Sequence, residues 1–209
     1  MKRLITLAAS SISVLAVALL IVAMQVDRPT SRTVSDDGTV SVVALDDAEF
    51  IGAAKCKTCH RKEEVGEQYG KWLEGPHAGA YATLGTDEAK EFAAAAGIDN
   101  PQTADECLAC HITAHGVAPE LLGTKYSVED GVSCESCHGA GGNYYKKKTM
   151  VSITSGETDG ASVGLVTPTE ETCVACHNDK SPTFKGFDFT EYSEKIAHPI
   201  PDARKAEYK

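Results

Sequence analysis

The eight cysteines fall into four pairs, each with two residues between them and each followed at once by histidine: Cys56-Lys-Thr-Cys59-His60, Cys107-Leu-Ala-Cys110-His111, Cys134-Glu-Ser-Cys137-His138 and Cys173-Val-Ala-Cys176-His177. None is left over. Two thiols at this spacing on one helical turn can add to the two vinyl groups of a haem, and the following histidine is placed to ligate the iron. Zinc binding, thioredoxin-like redox pairs and disulfides give no reason for histidine to follow every pair. The chemistry expected is therefore four covalent haem c groups, attached through these eight cysteines.

Four irons with two histidines each need eight histidines, and the chain has seven. Beside the proximal His60, His111, His138 and His177, the candidate ligands are His77, His198 and His115. His115 follows His111 by four residues, so on a continuing helix both point to one face and cannot clamp the same iron. If it binds iron, it binds a different haem. Met150 is the only methionine after residue 26, which allows histidine–methionine ligation at one haem at most. Lys148, if deprotonated by burial, is a rarer option.

The elements that must position these groups are short. Val65, Tyr69, Trp72 and Leu73 mark one face of a helix running from Arg61 to Gly75-Pro76, which leaves His77 on a loop. Thr86 caps a second helix over 87–96, stopped by Gly97. Capping boxes at Thr103-x-x-Glu106 and at Thr167-Pro168-Thr169-Glu170, with proline at the first helical position, lead into the second and fourth motifs, so short helices should carry the cysteines. Tyr192 and Ile196 lie one helical turn apart before His198-Pro199, where proline ends the helix. Gly139 to Gly142 reads as a loop, and Lys146-Lys147-Lys148 after it is the only basic cluster in an acidic domain. The motif histidines are 51, 27 and 39 residues apart, which fits no solenoid period.

Composition agrees with a haem-filled interior. The 209 residues are 42% hydrophobic and 24% charged, which suits one globular domain, yet only 6% are aromatic, thin for a core of this length. The fold class expected is mainly α with much irregular loop, a multihaem cytochrome c in which four covalently bound haems form the core. With so few residues per haem, the macrocycles must touch and form a conducting row or cluster.

Lys2 and Arg3 precede an uncharged, apolar stretch over 4–26. Its length is that of a membrane anchor, and its end lacks a clean small-residue cleavage site, so an uncleaved anchor is expected, with a cleaved signal as the alternative. The positive-inside rule then puts the domain on the periplasmic side. The organisation expected is an anchor or signal over 1–26, a flexible tether over 27–50, a tetrahaem domain over 51–200 and a polar tail over 201–209. Excluding Lys2 and Arg3, eighteen basic residues face thirty acidic ones. That balance disfavours nucleic acid and favours redox protein partners with a basic docking face.

Several strings resemble the tetrahaem cytochromes of the cytochrome c five-five-four type, the hydroxylamine oxidoreductase electron acceptor family, over roughly residues 50–200. They are the first motif with Trp72 and Gly-Pro-His77-Ala; Glu106-Cys-Leu-Ala-Cys-His111; Gly131-Val-Ser-Cys-Glu-Ser-Cys-His138-Gly-Ala-Gly; and the fourth motif with Ser181-Pro-Thr-Phe-Lys-Gly186. The resemblance implies that His77 is the distal ligand of the third haem and His198 that of the fourth. It also implies a five-coordinate second haem, at His111. The family's ligand to the first haem is a histidine where this chain has Lys148, which leaves that haem to His115, Met150 or Lys148.

The function expected is a membrane-tethered periplasmic carrier of single electrons. An open-coordination haem would alternatively reduce a small nitrogen oxide, but only generic proton donors such as Glu106 and His115 lie near the second motif. A haem-wire subunit, completed by a ligand from a neighbouring copy, is a further alternative that leaves the oligomeric state open.

Overall fold

The computed structural model describes residues 31–34, 40–43 and 47–202. The expected membrane segment, 4–26, and nearly all of the tail lie outside them, and no helix among the described residues is long and apolar enough to cross a membrane. Within the expected tether, β1 (Ser31–Val34) and β2 (Val40–Val43) pair antiparallel, with Ser31 opposite Val43.

The packed unit starts a few residues before 51. Ala48 is 7% exposed, the Glu49 carbonyl accepts the Gly142 N–H at 2.9 Å, and Phe50 exchanges backbone bonds with Leu121 and Gly123. In a free tether those backbone groups would bond to water instead.

As expected, the chain is mainly helical and its cysteines sit on short helices: α1 (Ala53–His60), α5 (Asp105–His111), α6 (Cys134–His138) and α8 (Glu170–Val174). The last motif finishes just beyond α8, where the His177 N–H bonds to the Cys173 carbonyl at 2.9 Å. Between and after them run α2 (Gln68–Glu74), α3 (Ala80–Thr83), α4 (Asp87–Ala95), α7 (Lys147–Thr154) and α9 (Phe189–Ile196).

The single helix expected from Arg61 is broken. Gly66 (φ 105°) and Glu67 (φ 51°) take left-handed conformations that separate a 3-10 turn, Glu63–Val65, from α2. Glycine tolerates that geometry and opens the way for its neighbour. Leu73, counted on the apolar face, is 57% exposed. Thr86 does cap α4, accepting the Ala89 N–H at 3.2 Å. The box before the second motif does not form, because the Thr103 hydroxyl bonds instead to the Asn100 carbonyl (3.2 Å) in a turn closed by the Asn100 side chain. Side-chain turns of this kind compete with capping. The box before the fourth motif forms two residues later than expected, with the Thr169 N–H donating to Thr172 Oγ1 at 3.2 Å. The lysine cluster opens α7, and the glycine segment expected as a loop tightens in part into a 3-10 turn, Gly141–Asn143.

Among the described residues the buried apolar side chains are Ala48, Ile51, Ala53, Leu84, Ala93 and Tyr144, while Val166, Val174, Phe184, Tyr192 and Ile196 stay more than one-third exposed. Protein atoms alone make little core, so directional polar contacts set how the segments meet. The central one is Glu135, 3% exposed, inside the third cysteine pair. Its carboxylate accepts the N–H groups of Ile51 (2.9 Å), Gly52 (2.8 Å) and Gly141 (2.7 Å). The Asp130 carboxyl takes the Ala53 N–H. The start of α1, which has no side-chain cap of its own, is thus satisfied by two acids from elsewhere in the chain, in the orientation that the helix dipole favours. Burial raises the Glu135 carboxyl above its usual range, and the three N–H donors pull it back.

Glu135→Ala leaves three N–H groups without this acceptor and is expected to cost roughly 3 kcal/mol or more, read by denaturant unfolding of the holoprotein. Glu135→Gln, which keeps one acceptor oxygen, should cost less.

Candidate functional site

The segments that carry His77 and that follow His111 meet at the stretch that enters the third motif. Trp72 Nε1–H donates to the Val132 carbonyl (2.9 Å), and the Val132 N–H donates to the His77 carbonyl (3.0 Å). Gly131 has φ 60°, and a Cβ there would stand 2.7 Å from the His77 carbonyl oxygen, so only glycine fits. Thr113, 2% exposed, holds the same segment from the other side. Its N–H bonds to the Gly131 carbonyl at 2.9 Å, and its hydroxyl accepts the Ser133 N–H and faces Ser136 Oγ, both at 2.8 Å. The Tyr126 hydroxyl donates to the Thr113 carbonyl. These contacts fix His77, on a 3-10 turn Pro76–Gly79, against the root of α6.

The imidazoles are oriented by oxygens. His60 Nδ1 meets Gln68 Oε1 (3.2 Å), His111 Nδ1 the Ala80 carbonyl (2.7 Å), His138 Nδ1 the Val166 carbonyl (3.2 Å) and His198 Nδ1 the Ile196 carbonyl (2.8 Å). An oxygen acceptor requires the proton on Nδ1, which leaves the Nε2 lone pair available in all four rings.

Two pairs of rings oppose one another. The centroids of His77 and His177 are 5.9 Å apart with planes at 71°, and those of His138 and His198 are 6.1 Å apart at 81°. A metal held between two imidazole nitrogens at about 2 Å each puts the ring centres roughly 6 Å apart, so this donor set fits a haem iron. Burial lowers the pKa of His77, with His177 adding to it. Burial likewise lowers that of His138, with smaller contributions from His198 and His60. Both are thereby held in the neutral form that ligates. The pairing reverses the one the resemblance implies: His77 faces the fourth motif and His198 the third.

His115 stands apart. The helix expected to continue past His111 ends there, Ile112 is extended, and Ala114 turns back with φ 59°. The His115 Nε2 then lies 3.3 Å from Asp105 Oδ1, so the nitrogen a metal would need is already engaged. Met150 is half-buried on α7, and among the described residues no hydrogen bond ties its side chain to any motif. Lys148 is exposed.

Sequence reasoning missed Phe187, one residue past the Gly186 string. It stacks on His177 (4.9 Å, 18°) and in turn against Tyr192 of α9 (5.2 Å, 29°). An aromatic beside a motif-like string was the available signal. Gln68 and Glu135 were also missed, because a single polar residue carries no periodicity.

Among the described residues all eight cysteines are free of disulfides, and no three His, Cys, Asp or Glu side chains converge on a common point. The thiols influence one another between motifs. Cys56 and Cys134 share a hydrogen bond that, with burial, raises the Cys56 thiol. Burial and the neighbouring Cys110 push Cys176 up to about 11. Cys173 is an electrostatic neighbour of Cys137.

Cysteine pairs each closed by an outward-facing imidazole, with further imidazoles set opposite at metal-binding distance, define a c-type cytochrome, a protein that holds haem c by thioether bonds. Residues 55–139 match the family described as "Cytochrome c554 and c-prime". Over 157 residues the chain is 32% identical to "Cytochrome c-554" of Nitrosomonas europaea, covering 67% of this chain and 63% of that relative. It therefore spans just under two thirds of the relative's length. No solved structure matches the chain significantly. The chain is a cytochrome of the c554 type.

His77→Ala is expected to perturb the haem resonances that show nuclear Overhauser contacts to the Phe187 ring and to leave those of the His138 site in place. Proton NMR of the oxidised holoprotein reads this, and the reverse pattern would restore His77 to the third motif.

Proposed function

We propose that this cytochrome is a tetrahaem carrier of single electrons, tethered to the periplasmic side of the cytoplasmic membrane by residues 4–26. One observation carries the reading: imidazoles from different elements oppose one another in two pairs, His77 with His177 at 5.9 Å and His138 with His198 at 6.1 Å between ring centres, beside two further motif histidines, His60 and His111, whose Nδ1 meets an oxygen. Haem supplies reversible one-electron chemistry when bound. The chain's own part is to set order, orientation and exposure.

His77 and His177 would hold one iron, and His138 and His198 another. Each ring faces its partner from a different element, and Nδ1 contacts at His138 and His198 prevent rotation out of line. Such outer contacts also raise the basicity of the ligating nitrogen. Phe187 stacks on His177 and against Tyr192 of α9, placing apolar rings beside the His77–His177 pair. Lower local polarity tunes the potential of a site of this kind.

Thirty acidic residues against twenty basic ones supply a negative field for encounter with a basic docking face. Contacts of this kind are small, fast and salt-sensitive. The uncharged stretch over 4–26 is long enough to hold the domain near membrane partners.

A pyridine haemochrome assay on the purified protein should return four haems per chain, and alanine at both cysteines of any one motif should remove one. The rate of electron transfer to a basic mono-haem cytochrome c should fall as ionic strength rises toward 0.1 M, where the screening length is about 10 Å. A rate that rises with salt would assign the docking face the opposite charge.

A further inference from the structure

Glu135 stands inside a haem-binding motif, between Cys134 and Cys137. Protein atoms alone close its side chain off from solvent, leaving it 3% exposed. Its three partners are all donors: Oε1 accepts the N–H groups of Ile51 (2.9 Å) and Gly141 (2.7 Å), and Oε2 accepts that of Gly52 (2.8 Å). No hydrogen bond among the described residues gives this carboxyl an acceptor, so the ionised form is the one that satisfies every contact. No ion pair among the described residues involves it either. Its charge is met only by N–H dipoles, and a net negative charge remains in a region of low dielectric, where it acts over a longer distance than in water. Asp130, which takes the Ala53 N–H, is only half-buried and more open to screening by solvent.

The same carboxylate reaches the first motif. Gly52, whose N–H it accepts, has its own carbonyl 4.0 Å from Cys56 Sγ. One fixed charge therefore adjoins Cys134 in the chain and is separated from the Cys56 thiol by a single residue. Among the described residues, no hydrogen bond joins it to the second or fourth motif.

An oxidised haem iron carries one more positive charge than a reduced one, so a buried anion beside it favours the oxidised form and lowers its reduction potential. We propose that Glu135 sets reduction potentials: its buried charge holds the third haem, and to a smaller extent the first, at a lower potential than their ligands alone would give, and leaves the second and fourth unaffected. This rests on the tetrahaem reading above. The role is separate from the support of α1. Support needs acceptor lone pairs, which glutamine keeps in part, whereas the potential needs the charge, which glutamine lacks.

The test is a spectroelectrochemical titration of the holoprotein and of Glu135→Gln, with a haem count and electron paramagnetic resonance of the oxidised protein beside it. A wild-type count other than four overturns the tetrahaem reading and is seen before any potential is measured. With four haems and unchanged low-spin signals in the variant, two of the four midpoint potentials are expected to rise, the larger by roughly tenfold in the reduction equilibrium constant, about 59 mV for one electron. Fewer than two rising, or all four rising alike, overturns the proposal. Glu135→Asp keeps the charge on a shorter side chain and is expected to leave both potentials near their wild-type values; a rise equal to that of the glutamine variant assigns the effect to lost support of α1 and overturns the proposal as well. Should Glu135→Gln fail to take up four haems, Glu49→Lys replaces it, since Glu49 is exposed and its carboxylate neighbours that of Glu135. The same two potentials are then expected to rise, and no rise overturns the proposal.

Discussion

The buried carboxylate of Glu135 is the contact on which the arrangement depends. Packing of large flat apolar groups is strong but non-directional, so it cannot by itself choose how one haem-binding turn sits on another. A charge-assisted hydrogen bond can, because its donors must point at fixed lone pairs. Glu135 gathers N–H groups from the root of α1 and from the turn after α6, segments 84 residues apart in the chain in the case of Ile51. With those N–H groups held, the Cys56 thiol is brought to Cys134. The same residue therefore satisfies an uncapped helix and sets the first motif on the third.

The histidines repeat this division of labour. Iron–nitrogen bonds supply affinity, but ring orientation comes from outer oxygens: a glutamine side chain at His60 and backbone carbonyls at His111, His138 and His198. Three of the four acceptors are main-chain atoms, so orientation is tied to the path of the backbone and not to a side chain that mutation could exchange. His115 shows what happens without that arrangement. Its ring turns its metal-binding nitrogen to Asp105.

Much of the local architecture was legible. The helices beneath the cysteines, the Thr86 cap of α4 and the helix before His198 each follow from patterns a few residues long, where side-chain spacing and backbone conformation are directly coupled. The failures share one cause. The helix expected from Arg61 breaks at Gly66 and Glu67, and the box at Thr103 gives way to the Asn100 turn, because two local solutions of similar energy were open and surrounding contacts chose between them. Glu135 and Phe187 went unread for a different reason: their partners are remote, and no short window contains both.

The sequence by itself determined the chemistry. Cysteine and histidine at a helical spacing select thioether attachment and an axial nitrogen, and the histidine total limits how many irons can be doubly ligated, because these are matters of composition and of one turn of backbone. Tertiary structure decided which histidine faces which. His77 lies close in sequence to the first motif yet opposes the fourth, and His198 opposes the third. That choice depends on how Gly131, Thr113 and Glu135 bring distant segments into hydrogen-bond contact, and a directional bond between remote residues leaves no mark in the local spacing of either one.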